Sequence, residues 1–268
     1  MYPFEYSRAG SIDEAIDLKR ADESAQWLAG GMTLLPSMKL RLAAPGRLID
    51  LTDITALNEW TIGDDRIVLG SLSSHRRVAE SDDVGNKVPA LSTVAAGIGD
   101  PQVRNRGTLG GSIANNDPAA DYPAALTGLG ATIRTSQREI SADDFFRDFF
   151  ETTLGDDELV VAVSFPVPRR AAYLKFRTPG SRYALVGVMV AETATGVRVA
   201  VTGAGPGVFR EASLEAALSE DFRPEALAGI DVSAEGLNAD MHASPEYRAH
   251  LIGILARRAA AQAVASAG

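Results

Sequence analysis

Cysteine is absent from the 268 residues of this sequence. The absence excludes disulfides, zinc ribbons and iron–sulfur ligation within the chain, because each of them depends on cysteine sulfur. Positive charge is also scarce, since 26 Lys and Arg residues stand against 35 Asp and Glu residues, for a formal net charge of −9. A general nucleic-acid binder needs a basic surface for its phosphate contacts, so we expect no nucleic-acid partner.

Long apolar runs are missing as well. No run reaches the roughly 18 residues that would span a bilayer. The N-terminus, from Met1 to Tyr6, has neither the basic start nor the apolar stretch of an export signal. We therefore expect a cytoplasmic protein without a membrane span. The length is sufficient for two or three packed lobes.

Two helix starts can be predicted in the first part of the chain. Ser11 is an expected N-cap, with Glu14 three positions later as in a capping box. Thr33 is expected to cap a second helix that runs to Leu42. The pair Gly30-Gly31 separates this helix from the strand before it, which predicts a strand, a glycine turn and a helix in succession.

Alternating or continuous apolar residues between turn signals predict seven strands. They lie at 27–29, 47–51, 60–62, 67–69, 172–177, 184–191 and 197–202. Helices are expected from Ser74, at 89–96 and from Ser244 or Pro245 to the end. The stretch 97–121 has few apolar residues and is predicted to lack regular structure, which favours a ligand-binding role.

Two glycine pairs, Gly30-Gly31 and Gly110-Gly111, are the strongest candidates for ligand binding. Each can present bare backbone N–H groups, and the missing Cβ lets a diphosphate approach the main chain. Hydrogen bonds to a charged group contribute about 1.5–3 kcal/mol each, so two such loops around one pyrophosphate would dominate its affinity. Either pair alone is better explained by a simple turn, since neither forms a GxGxxG or Walker A motif.

The segments from Ala29 to Arg41 and from Thr108 to Asp121 together resemble the two FAD loops of molybdenum hydroxylase flavoprotein subunits. The likeness is greatest to the medium subunit of carbon monoxide dehydrogenase-type enzymes, and xanthine dehydrogenase is more distant. It covers nearly the whole chain, including the segment from Arg47 to Leu51.

The resemblance implies an α+β fold. Two N-terminal lobes, at 1–56 and 57–168, would form an FAD-binding domain of the p-cresol methylhydroxylase or vanillyl-alcohol-oxidase type. Residues 169–268 would form a C-terminal domain of antiparallel sheet and helices. FAD would lie extended between the two lobes.

The resemblance also implies a function. The chain would be an oxidoreductase subunit that accepts electrons from iron–sulfur clusters on a small partner and passes them to an external acceptor. Molybdopterin would belong to a large partner, and the complex would be a dimer of heterotrimers. No catalytic residue and no metal ligand is expected in this chain, because the flavin carries the redox chemistry.

The positions matched to FAD-contacting residues fall into five groups. The first loop, which would wrap the diphosphate, is Ala29, Gly30, Gly31, Met32, Thr33 and Leu34. The adenine end would be flanked by Ile98, Gly99 and Val103. The second loop, at the diphosphate and ribityl region, is Thr108, Gly110, Gly111, Ser112, Ala114 and Asn115. Asp121 would accept from sugar or ribityl hydroxyls, and Tyr183 would lie near the isoalloxazine ring.

Two other functions remain open at this point. A self-sufficient FAD-dependent oxidoreductase with its own organic substrate is one, although no histidine neighbours either glycine pair to tether the flavin. A flavin-free assembly scaffold is the other, and the intact glycine pairs and Asp121 argue against it.

The remaining polar candidates have simpler explanations. His75 at a helix start is expected to act as a cap, and His242 and His250 are expected at the surface. The acidic clusters at 143–144 and 156–158 are expected in solvated loops. Arg104 and Arg106 are equally compatible with phosphate neutralisation and with ordinary surface charge.

Overall fold

The computed structural model describes residues 1–266. The chain begins with three short parallel strands in the order β1-β3-β2, and two helices connect them. The bounds are β1 Glu5–Arg8, α1 Ile12–Arg20, β2 Ala25–Leu28, α2 Leu34–Lys39 and β3 Arg47–Asp50. Ala15, Ala25 and Ile49 are fully buried between this first sheet and its helices.

The two predicted helix caps differ in outcome. Ser11 caps α1 by accepting from the backbone N–H of Glu14 at 3.1 Å, which confirms the prediction. Thr33 precedes α2 but its side chain makes no capping bond. The third residue of α2 is Pro36, which has no N–H to donate, and the N–H of Leu35 already bonds to the carbonyl of Gly31 at 3.1 Å. The helix also ends earlier than predicted, at Lys39.

The second sheet is antiparallel, with five strands in the order β4-β5-β10-β6-β7 and helices packed on it. A 3₁₀ turn at Thr55–Asn58 leads into it. The bounds are β4 Trp60–Ile62, β5 Arg66–Gly70, α3 His75–Glu80, α4 Asp82–Lys87, α5 Pro89–Gly97, α6 Pro101–Arg106, α7 Leu109–Asn115, α8 Tyr122–Leu129, β6 Thr132–Thr135, β7 Glu139–Ser141, α9 Ala142–Phe145, β8 Phe146–Asp148, β9 Glu151–Thr152 and β10 Val160–Pro166. Strands β8 and β9 form a separate small hairpin.

The stretch 97–121 is not structureless, as the sequence predicted, because it contains α6 and α7. Asp100 caps α6 by accepting from the N–H groups of Gln102 and Val103 at 2.8 and 3.1 Å. Thr108 caps α7 in the same way. Helices this short bury few side chains, so they leave little apolar pattern in the sequence.

The third sheet is antiparallel in the order β11-β12-β13-β14. The bounds are β11 Arg170–Arg177, β12 Ala184–Thr193, β13 Gly196–Thr202, β14 Phe209–Arg210, α10 Ala212–Glu220, a 3₁₀ turn at Pro224–Leu227 and α11 Pro245–Ala265. The three predicted strands of this region are confirmed. Strand β12 is buried on both faces: Val188 packs on the side of Leu251 and Leu255 in α11, and Met189 belongs to the core of the second sheet.

The segment 117–121 crosses from the second sheet onto the third. The hydroxyl of Thr202 donates to the carbonyls of Pro118 and Ala120 at 3.0 and 2.7 Å, and the N–H of Gly203 donates to Pro118 at 2.8 Å. The chain that follows α7 is therefore attached to the end of β13. Within residues 1–266, no helix combines the length and apolar character required to cross a membrane.

Candidate functional site

A cleft of about 1180 Å³ lies where the three sheets meet. This volume exceeds the roughly 300–1,000 Å³ of sites for drug-sized ligands. All seventeen residues that the sequence assigned to cofactor binding line it, namely Ala29, Gly30, Gly31, Met32, Thr33, Leu34, Ile98, Gly99, Val103, Thr108, Gly110, Gly111, Ser112, Ala114, Asn115, Asp121 and Tyr183.

The first glycine loop, residues 29–34, is shaped by its two glycines. A Cβ on Gly30 would overlap the backbone carbonyl of Arg106, so the loop can pack on the end of α6 only without a side chain. Gly31 has φ +73°, a left-handed conformation that suits glycine. Within the described chain, no group accepts a hydrogen bond from the N–H of residues 30–34. Five successive backbone donors are therefore available to a ligand.

The second glycine loop, residues 108–115, differs from the prediction of bare N–H groups. Gly110 donates to the carbonyl of Ser71 at 2.8 Å, and Gly111 donates to the hydroxyl of Thr108 at 3.1 Å. Ser112 donates to the carbonyl of Thr108 at 3.0 Å. Because the loop is capped as the start of α7, the N–H groups of residues 109–112 are already used.

The second loop offers a ligand side chains instead, and a backbone without a Cβ at Gly111. The hydroxyl of Ser112 and the amide of Asn115 line the cleft, and no residue of the described chain bonds to either side chain. A Cβ on Gly111 would lie 2.9 Å from Oγ1 of Thr108 and 3.9 Å from Cβ of Ala29. The two glycine loops therefore approach each other across a narrow gap.

Asp121 is only 5% exposed and lies in the wall of the cleft. The hydroxyl of Tyr173 donates to its Oδ1 at 2.5 Å, and Nζ of Lys175 donates to its Oδ2 at 2.7 Å. Burial raises the pKa of the Asp121 carboxyl, and the neighbouring Lys175 ammonium opposes the rise. Both oxygens already have protein donors, so this carboxylate joins the second sheet to β11 whatever else it contacts.

The third sheet also contributes to the cleft, through the loop between β11 and β12. Gly180, Ser181, Arg182 and Tyr183 line one side of it. The sequence assigned the cleft to the first two lobes, with Tyr183 as the one residue from beyond them. The loop has no motif that would have shown this contribution.

His75 is a cleft residue that the sequence misassigned. Ser74, not His75, caps α3, and it does so by accepting from the N–H of Arg77 at 3.2 Å. His75 is buried, and its ring lies 5.4 Å from that of Tyr122. Burial, and then the Arg104 guanidinium, lowers the pKa of His75 to about 4, so it is neutral at pH 7. A lone histidine in sequence gives no signal of such burial.

The acidic clusters and Arg104 also have roles inside the protein. Glu158 is buried rather than solvated, and it accepts from Arg138 at 2.9 Å and from Thr135 at 2.7 Å. The Arg138 hydrogen bond lowers the pKa of Glu158 to about 2. Arg104 donates to the carbonyl of Ile98 at 2.6 Å and does not line the cleft.

The cleft fits FAD on three grounds. Five backbone donors in a row suit a diphosphate, the opposite side carries hydroxyl and amide groups for a polyol, and the volume accommodates a large ligand. In the described chain, no cluster of three or more His, Asp or Glu side chains is placed to hold a metal ion.

The sequence family described as the FAD binding domain in molybdopterin dehydrogenase matches residues 2–168. The chain belongs to this family. It is 35% identical over 272 residues to the nicotine 6-hydroxylase medium subunit of Paenarthrobacter nicotinovorans, with 96% of each chain covered. It is 31% identical over 281 residues to the carbon monoxide dehydrogenase medium chain of Afipia carboxidovorans, with 98% of each covered.

Solved structures agree with this family membership. The Cu,Mo-CO dehydrogenase structure superposes with a TM-score of 0.89 at 30% identity, and 99% of each chain is covered. The quinoline 2-oxidoreductase of Pseudomonas putida 86 gives 0.89 at 29% identity, over 99% of this chain and 98% of that one. The expected fold is confirmed, and the chain is an FAD-binding oxidoreductase subunit of the molybdenum hydroxylase type.

Proposed function

We propose that this chain carries FAD between the iron–sulfur clusters of a small partner subunit and an external electron acceptor. When bound, FAD supplies hydride and one-electron chemistry. The protein's own task is to bind the dinucleotide and hold it in one orientation. The chain has no cysteine for clusters of its own, so the clusters belong to a partner.

The row of five unbonded N–H groups at residues 30–34 is the observation that carries this proposal. We assign it to the FAD diphosphate, as a backbone cradle. Hydrogen bonds to a charged acceptor contribute about 1.5–3 kcal/mol each, so even two or three of them would give most of the affinity. Met32 in this loop donates through its backbone alone.

The other assignments follow the family resemblance, and all of these residues line the cleft. Thr108, Ser112 and Asn115 would bond to the ribityl and diphosphate oxygens through side chains, since the backbone donors beside them are used. Ile98, Gly99 and Val103 would flank the adenine. Tyr183, on the loop of the third sheet, would lie near the isoalloxazine ring.

The partners proposed are a large molybdopterin subunit and a small iron–sulfur subunit, arranged as a dimer of heterotrimers in the cytoplasm. Two relatives are named as medium subunits or chains, and a third is named as subunit alpha of the 6-hydroxypseudooxynicotine dehydrogenase complex. Residues 1–56, 57–168 and 169–268 would be the structural units of the chain. The three sheets support this division, since each has its strands within one of these ranges.

Replacing Gly111 by leucine tests the FAD site. A leucine side chain would project into the gap towards Ala29 and separate the two loops, so the purified protein should lose its flavin absorbance. Gly85→Leu is the control, because a Cβ at that helical glycine meets nothing within 4 Å. Equal flavin content in the two variants would contradict this placement of the site.

Affinity purification from native cells tests the partners. The proposed role requires a large subunit with molybdopterin and a small subunit with iron–sulfur clusters to copurify. Turnover of an organic substrate by the isolated chain would favour the self-sufficient oxidoreductase instead. A chain that binds no FAD at all would be a scaffold.

A further inference from the structure

The charge of the cleft is unfavourable for an anionic ligand. Five carboxylates line it, at Glu23, Asp100, Asp117, Asp121 and Glu158. Two of them are paired inside the protein, Asp121 with Lys175 and Glu158 with Arg138. Among the cleft-lining residues within 1–266, Arg182 is the one cationic side chain, since His75 is neutral.

Arg182 is held in place by its loop and by Gly99. Its N–H donates to the carbonyl of Thr178 at 2.8 Å, and the N–H of Thr178 donates to Tyr183 at 2.9 Å. A Cβ on Gly99 would lie 2.7 Å from Cβ and 2.8 Å from Cδ of Arg182. The aliphatic stem of the arginine therefore lies directly on the glycine backbone.

The guanidinium of Arg182 has no counter-ion in the protein. Within residues 1–266, no carboxylate oxygen lies within 4 Å of it. Its φ is +62°, a left-handed conformation that costs a non-glycine residue roughly 1 kcal/mol or more. Arg182 is an exposed, unpaired cation at the edge of a cleft of carboxylates, in an unfavourable backbone conformation, and its guanidinium is therefore available to a ligand.

We propose that Arg182 is a positioning residue that pairs with the phosphates of FAD. The inference rests on the proposed FAD site and extends it to the third sheet. Guanidinium groups match phosphate oxygens with two parallel hydrogen bonds, and such bonds are among the strongest that proteins make. Arg182 supplies the positive charge that the backbone cradle of the first loop lacks.

Titration of the apo protein with FAD tests the inference through three variants. Arg182→Gln should raise the Kd about tenfold to a hundredfold, and Arg182→Lys should recover only part of the loss, because it keeps the charge but not the second parallel hydrogen bond. Arg257→Gln is the matched control, since it removes the same charge at an exposed position of α11 outside the cleft. Added NaCl should lower the FAD affinity of the wild type more steeply than that of Arg182→Gln.

Three further measurements test the phosphate contact against a structural role. ADP, which has the diphosphate without the flavin, should lose affinity for Arg182→Gln by about the same factor as FAD. Gly99→Ala should displace the aliphatic stem of Arg182 and lower the affinity for FAD, while every charge stays in place. The unfolding temperature of the apo protein should be the same for Arg182→Gln and the wild type.

The outcomes distinguish this inference from the proposed function. Wild-type protein that binds no FAD would overturn both. Tight FAD binding by the wild type, with Arg182→Gln equal to Arg257→Gln, would overturn the role of Arg182 and leave the FAD site intact. If Arg182→Gln bound FAD more weakly than the wild type but bound ADP equally well, the phosphate contact would be overturned.

Discussion

The two glycine loops have the same dipeptide and opposite hydrogen-bonding states. In the first loop, Gly30 and Gly31 lie in a segment whose five N–H groups have no partner in the described chain. In the second, Gly110 and Gly111 donate to Ser71 and Thr108. A glycine pair thus permits close approach of the backbone, and the local helix geometry decides whether donors remain for a ligand.

Because of this difference, the two loops are expected to bind a ligand in different ways. The first can bind an anion through the main chain, so most substitutions of its side chains should be tolerated. The second works through side chains and through the absence of a Cβ at Gly111. The attachment of the segment after it to the third sheet, through Asp121, gives that loop its support.

The largest expected effect is on this support. Lys175→Met would leave the buried Asp121 carboxylate without its counter-ion, at a cost of about 3–5 kcal/mol in the free energy of unfolding. Urea unfolding would measure it. The double variant Asp121→Asn with Lys175→Met should lose less than Lys175→Met alone. An equal or greater loss in the double variant would show that the ion pair is not the cause.

The next effect concerns pH, because the N–H of His75 donates to the carbonyl of Gly107, directly before the second loop, at 2.9 Å. Burial lowers the pKa of His75 from 6.5 to about 4. Between these values the unfolded chain binds a proton that the folded chain does not, so stability is full above pH 6.5 and falls as the pH falls towards 4. The contribution is on the order of 3 kcal/mol.

Unfolding of the wild type and of His75→Gln between pH 7 and 4 would measure this contribution. In His75→Gln, the free energy of unfolding should depend much less on pH than in the wild type, whatever the stability of the variant at pH 7. Asp117 opposes the trend near pH 4, because burial raises the pKa of its carboxyl. Identical slopes in the two proteins would exclude His75 as the source.

A smaller effect is expected at the first loop. Gly30→Ala would press a methyl group against the carbonyl of Arg106, which should cost roughly 1–3 kcal/mol and move the row of N–H groups. FAD affinity should fall together with stability. Gly180→Ala provides the comparison, since a Cβ there meets nothing within 4 Å although the residue also lines the cleft. Retained affinity in Gly30→Ala would show that the cradle tolerates displacement.

The smallest expected effect is on the stability of the protein without FAD, and it is measured by comparing substitutions at Thr108 and Thr33. Thr108→Val removes the cap of α7 and should cost about 0.5–2 kcal/mol. Thr33→Val should cost less than about 0.5 kcal/mol, because Thr33 makes no cap bond. Thermal unfolding of the two apo variants would test the comparison directly. Equal losses would mean that the two loops are built alike.

The sequence predicted what depends on local pattern. The strands of the third sheet follow from their apolar residues, and the cap at Ser11 follows from its spacing to Glu14. The seventeen cleft residues came from resemblance, since two glycine pairs alone do not define a site. Their contacts with FAD stay a prediction.

Other features depend on neighbours that the local patterns did not include, and most of these neighbours are distant in sequence. Thr33 fails as a cap because Pro36 lacks an N–H, which the capping pattern did not consider. The burial of His75 and Glu158 depends on Tyr122 and Arg138, and nothing near either residue in the chain indicates it. The contribution of Arg182 requires a loop from the third sheet to reach Gly99.

The two hydrogen bonds that Tyr173 and Lys175 of β11 donate to Asp121 limit how this protein can be divided into fragments. The family match ends at residue 168, yet a fragment cut there would keep the Asp121 carboxylate and lose Tyr173 and Lys175. It would also lose the loop that closes one side of the cleft. The cofactor-binding half is therefore not an interchangeable module, and recombination between relatives should succeed only when the crossover keeps both ends of these two hydrogen bonds from one parent.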